Sequence, residues 1–143
     1  MSPGDAHRFG DSDEETLRYL LSLKIILGAD GVHPLEAHAL TRGMQLMGVP
    51  ETVVAEVEQF DALGKDLADY LPLRPSRARA RLLVYDAVRL ASADGLYSDE
   101  EREAVANAAR MLGVDTGTLR ALEGLVQMER AVEQMRRGLL QAD

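Results

Sequence analysis

Two short stretches hold most of the side chains with chemical potential. They are ILGADGVHPLE, Ile26 to Glu36, and LASADGLYSDEE, Leu90 to Glu101. Each runs from apolar residues through Ala-Asp-Gly to a glutamate. The candidate ligands are Asp30 and Glu36 in the first, and Asp94, Glu100 and Glu101, with Asp99 beside them, in the second. Carboxylate oxygens on a tight turn suit hard cations, Ca²⁺ or Mg²⁺. The spacing is not that of an EF-hand loop, because the odd positions counted from Asp94 hold Leu96 and Ser98. One such turn is a poor cage, so a cation site requires both turns to come together.

The same residues also have a folding role. Gly31 and Gly95 each follow a helix, where a left-handed C-cap favours glycine. Ser98 and Glu101 form an S-x-x-E capping box for the next helix. Pro34 at a first helical position puts Glu36 at the third, the place Glu101 holds in its own helix. Asp30 and Asp94 can accept bonds from the amides that open those helices. Capping is the primary reading of the phrase, and a cation site is the sharper alternative.

Other chemistry lacks its residues. The chain has no Cys, which removes disulfides, thiolate metal sites and cysteine nucleophiles. Its histidines are His7, His33 and His38, and the last two are five apart, off the spacing of an H-E-x-x-H pair. No G-x-S-x-G or G-x-x-x-x-G-K-[ST] is present. Paired acids need a pocket to do proton transfer, and nothing in the chain specifies one. The expectation is a non-enzymatic protein.

Positioning these turns requires helices. Of 143 residues, 46% are hydrophobic but only 4% aromatic, so Leu, Val, Ala, Ile and Met must build the core, a mix that favours helix. The net charge of −8 disfavours nucleic-acid phosphates. No signal peptide or apolar run of about 18–20 residues stands out, so direct membrane insertion is not expected and a cytoplasmic protein is. Residues 1–12 read as a disordered acidic tail and 13–143 as a single helical domain. A helix starts at Asp13, where acids suit the N-terminus. Pro34 opens a second helix, which ends at Gly48. Pro50 opens a third, and a short piece follows from Lys65 to Leu71. The chain restarts from Ser76 to Ala93, from Ser98 to Gly113, and from Asp115 onward.

The two halves, 13–71 and 76–128, align. Asp30-Gly31 matches Asp94-Gly95 at an offset of 64, and Glu36 matches Glu101 at 65. The face of Leu40, Gly43, Met44 and Met47 then matches Val105, Ala108, Ala109 and Leu112. Val54, Val57 and Phe60 match Leu119, Leu122 and Leu125. MGV at 47–49 matches LGV at 112–114. The prediction is an all-α domain of about seven to eight helices: two pseudo-symmetric three-helix halves around two central buried helices, closed by a terminal helix over 129–140. Small residues at 43, 108 and 109 are expected to let backbones approach closely.

Arg74, Arg77, Arg79 and Arg81 crowd a helix N-terminus, where each positive charge costs about 0.3–1 kcal/mol. Pairing with the protein's own acid is the favoured offset, and an acidic partner is the alternative. On the last helix, Val132, Met135 and Leu139 form an apolar stripe, read first as core and second as a docking face in trans.

Two ADG…E phrases, each after a buried helix and before a helix ending in LGV or MGV, resemble the TerB-like proteins. These are the tellurite-resistance TerB family and the N-terminal domain of the DjlA co-chaperones. The resemblance spans roughly Asp13 to Leu125. It implies an all-helical duplicated domain, an acidic surface near Asp30, Glu36, Asp94 and Glu101 for which metal binding has been proposed, and a bacterial stress-related adaptor without enzymatic activity. His33-Pro34-Leu35 departs from the acidic pattern of YSDEE. The expected function is therefore a protein-interaction module with an unidentified protein partner. A divalent-cation-binding stress protein is the alternative, and a homo-oligomeric scaffold the third reading.

Overall fold

The computed structural model describes residues 8–30, 34–93 and 95–141, with Asp30 by its backbone alone. Among these residues there are six α-helices and no strand. The helices are α1 (Asp13–Leu27), α2 (Pro34–Leu46), α3 (Glu51–Gln59), α4 (Arg77–Ala91), α5 (Asp99–Met111) and α6 (Thr116–Leu140). Short 3₁₀ turns lie at Gly28–Asp30 and Leu67–Asp69. No helix is long and apolar enough to cross a membrane, among the described residues.

The helix starts follow the sequence signals. Ser12, Ser76, Ser98 and Asp115 cap α1, α4, α5 and α6 by accepting backbone N–H bonds from Glu15, Arg79, Glu101 and Thr118. Pro34 and Pro50 sit where a missing N–H costs nothing, at the first position of α2 and just before α3. The stops are duplicated too. Gly48 has φ +71° and Gly113 φ +75°. After α2, the Val49 N–H reaches the Met44 carbonyl at 3.0 Å; after α5, the Val114 N–H reaches that of Ala109 at 2.8 Å. Both are the same six-to-one closure around a left-handed residue.

α1 and α4 form the centre and pack on each other. Leu20, Leu23, Ile26 and Leu27 of α1, and Leu83, Val84, Ala87 and Val88 of α4, are all but completely enclosed. Truncating one such leucine to Ala costs about 2–5 kcal/mol. α3 packs on α1 and α6 on α4, while α2 crosses to α4, and α5 packs on both α4 and α1. The second helix of each half therefore reaches the other half's central helix.

Four expectations are corrected. Nothing separates a terminal helix at 129: Gln127, Met128 and Glu129 are good helix formers, and α6 runs 25 residues without a break. This lowers the expected helix count. Residues 1–7 lie outside the described part, but the end of the supposed tail is docked. Phe9 is buried 5.1 Å from the Tyr19 ring, and Arg8 bonds Asp86 at 2.7 Å. Gly43 is not a close-approach site, because an added Cβ would meet nothing within 4 Å. Leu125, aligned with the inward Phe60, is 43% exposed.

A buried polar knot holds the centre. Asp86, 1% exposed, accepts the Tyr19 hydroxyl at 2.6 Å and the Arg8 guanidinium. Burial, and then the charge of Asp86, hold the Tyr19 phenol well above its ordinary value. Lys24 donates to the Val57 and Glu58 carbonyls at 2.6 and 3.0 Å, closing the C-terminus of α3.

Candidate cation site at the doubled corner

The capping box at the second corner is complete. Ser98 Oγ accepts the Glu101 N–H at 3.1 Å, and Glu101 Oε1 accepts the Ser98 N–H at 3.1 Å. Glu101 is nonetheless 1% exposed, deeper than a capping acid needs to be. Its second oxygen, Oε2, is enclosed and has no hydrogen-bond partner among the described residues. A buried carboxylate oxygen without a donor is costly, and an ordered water or an ion is the usual remedy.

Glu36 holds the matching place in the first corner, at the third position of α2, with 0% exposure. The 3₁₀ turn carrying Asp30 packs on α5, the helix that carries Glu101. The fold thus brings the first corner against the second half. The side chains of Asp30 and Asp94, and all of Gly31 and His33, lie outside the described residues. Among the described residues, no three His, Asp or Glu side chains cluster closely enough to hold a metal. Glu36 and Glu101 alone are two enclosed hard donors, fewer than the six or more oxygens a hard cation takes. Glu100 is exposed on the first turn of α5 and does not share the enclosure of Glu101. Gly95 has φ +86°, but it follows the Ser92 cap of α4 by three residues and bonds Ser92 O at 2.9 Å, one turn later than a C-cap glycine.

Sequence reasoning missed what holds this corner. Tyr97 donates to Glu123 Oε2 at 3.0 Å, and Arg102 reaches the same oxygen at 3.3 Å while lying 4.3 Å over the Tyr97 ring. Burial, followed by the Glu123 charge, pushes the Tyr97 phenol well up. The available signal was an aromatic residue in the turn, just before the S-x-x-E box. Beside this cluster, a cleft of about 700 Å³ opens between α5 and α6, lined in part by Asp99, Arg102, Glu103, Arg110, Arg120 and Glu123.

The other candidate residues separate. Arg79 pairs with Asp11 at 3.4 Å and Glu15 at 3.8 Å, the internal offset expected for the basic cluster. Arg74, Arg77 and Arg81 are exposed, and Arg74 adopts φ +49°, unusual for a residue with a Cβ. Asp115, near Arg81 and Arg77, is held below its ordinary value chiefly by the Thr118 backbone N–H. The core reading of the α6 stripe is overturned: Val132, Met135 and Leu139 are 51%, 62% and 75% exposed.

No protein-family model and no curated protein matches the sequence. Among solved structures, the chain is similar to the crystal structure of a tellurite resistance protein from Nostoc punctiforme. The two share 23% identity and superpose with a TM-score of 0.76 over 92% of this chain and 84% of that one. The resemblance to TerB-like proteins drawn from the doubled Ala-Asp-Gly phrase therefore holds at the level of the fold: this chain has the all-helical fold of that tellurite resistance protein.

Proposed function

We propose that the chain is a non-enzymatic, TerB-like interaction module, and that its doubled corner takes a divalent cation through carboxylate oxygens. The observation that carries the cation reading is Glu101: an enclosed carboxylate with one oxygen used for capping and the other without a hydrogen-bond donor among the described residues. Capping alone accounts for Oε1 but not for Oε2. Glu36, enclosed at the matching position, supplies a second hard donor, and Asp30 and Asp94 are the residues to complete the shell. The fold of a tellurite resistance protein supports a stress-related role.

Calorimetric titration of chelator-treated protein with Ca²⁺, Mg²⁺, Mn²⁺ and Zn²⁺ tests this. Binding is expected for a hard ion, lost in Glu101→Gln and weakened in Asp30→Ala and Asp94→Ala. Absence of heat with every ion refutes it.

A second reading, docking of an acidic segment of another protein, is favoured by the exposure of Arg74, Arg77 and Arg81 at the start of α4, where positive charge is disfavoured. Replacing all three by Glu is expected to abolish capture of that partner while leaving cation binding unchanged. Equal capture by the triple variant excludes this surface.

A further inference from the structure

We propose that α6 is a homodimer interface, packing antiparallel against α6 of a second copy. The helix meets its own domain through Leu119, Leu122, Glu123, Val126 and Arg130, which are buried or half-buried. Leu125, Met128, Val132, Met135 and Leu139 lie on the opposite face, about 180° around the axis at 3.6 residues per turn. Their exposures run from 43% to 75%. Their spacing is three, four, three, four: a strict seam with Leu125, Val132 and Leu139 at a positions and the two methionines at d. A seam kept for more than two heptads on the solvent side of a helix specifies another helix. It is not a surplus of core: Leu119, Leu122 and Val126 already make the contact with the domain, and residues 131–140 are exposed on every side.

The flanks of the seam identify that helix. Glu129 and Arg136 occupy the two e positions, and Gly124, Ala131 and Gly138 the g positions. In a parallel pair, e faces g of the other chain, so Glu129 and Arg136 would each face a small, uncharged residue. In an antiparallel pair, e faces e. A register that sets Val132 against Met135 of the second copy, and Met128 against its Leu139, also sets Glu129 against its Arg136. By symmetry each of these contacts forms twice, as a closed two-fold dimer requires. The small g residues let the helices approach on the other flank. Glu129 is already fixed, accepting the Tyr85 hydroxyl at 2.6 Å.

Sedimentation equilibrium over a concentration series is the test, with far-ultraviolet circular dichroism as the control for folding. The wild type is expected at twice the 15.6 kDa chain mass. Val132→Glu touches nothing in the monomer core and is expected to sediment as a folded monomer. Arg136→Glu places two acids face to face and is expected to weaken dimerisation about tenfold or more. Adding Glu129→Arg to it restores the pairing with opposite sign and is expected to recover the dimer. A wild type that remains at 15.6 kDa throughout overturns the proposal and leaves the seam to a different partner. A dimer unaffected by Val132→Glu overturns it too, and a dimer weakened by Arg136→Glu but not recovered by the swap overturns the antiparallel register.

Discussion

Glu101→Gln separates a capping acid from an ion ligand in one substitution. Glutamine has the same shape and can keep the bond from the Ser98 N–H, because a capping box accepts Gln as well as Glu. What changes is the charge and the donor capacity at the enclosed Oε2 position. Without any cation, the wild type carries a buried oxygen that lacks a donor among the described residues, a defect of about 1–3 kcal/mol. In chelator the variant is therefore expected to melt at the same temperature as the wild type or higher. With a cation at a hundredfold excess over its dissociation constant, the wild type gains about 2.7 kcal/mol. For a domain of this size, that corresponds to a rise of about 8–11 °C in Tm. The variant is expected to gain nothing. The assay is differential scanning calorimetry of both proteins, with chelator and with each ion. If an ion raises both melting temperatures equally, it binds elsewhere. If no ion raises either, and the variant is destabilised in chelator, the enclosed carboxylate has only a folding role.

Three further outcomes follow from the geometry. Gly43→Ala adds a methyl group with open space around it in mid-helix, and is expected to stabilise by about 0.5–1 kcal/mol in denaturant titration. Asp86→Ala leaves the Tyr19 hydroxyl and Arg8 without their shared acceptor, and is expected to cost about 3–5 kcal/mol, with faster proteolysis ahead of α1. Burial, first among its causes, raises Tyr19, Tyr97 and, to about 12, Tyr85 above the ordinary phenol value of 10.0. A raised folded-state value means the folded chain holds the proton longer. That stability is fully present below pH 10.0 and is lost as pH rises toward the folded values. Lys24, lowered by burial, contributes with the opposite sign. Tyr97→Phe is expected to flatten the alkaline decline in unfolding free energy.

The duplicated frame was legible because its signals are local. Serine, proline and glycine at fixed offsets specify where α2 and α5 begin and end, and the same closure at Gly48 and Gly113 follows from them. The enclosure of Glu101 was not legible, since a capping box reads the same at the surface as in the interior. The Asp86 knot joins residues 67 and 78 positions apart, beyond any periodicity. Phe9 was hidden by its polar neighbours: one aromatic makes no pattern, yet it anchors the entry to α1. The stripe at Val132, Met135 and Leu139 was read with the right period and the wrong surroundings. Helical spacing shows that a face is apolar, but not whether the same chain covers it.

Glu101 also joins two places that the fold otherwise keeps apart. Its Oε1 fixes the first turn of α5, and the same turn supplies Asp99, Arg102 and Glu103 to the wall of the cleft between α5 and α6. An ion held at Oε2 and a molecule held in that cleft would therefore act on one short piece of backbone. Their affinities are then reciprocal: whatever factor the ion contributes to the cleft, the occupant of the cleft returns to the ion. Loss of the ion would be read at the cleft as fraying of one helical turn.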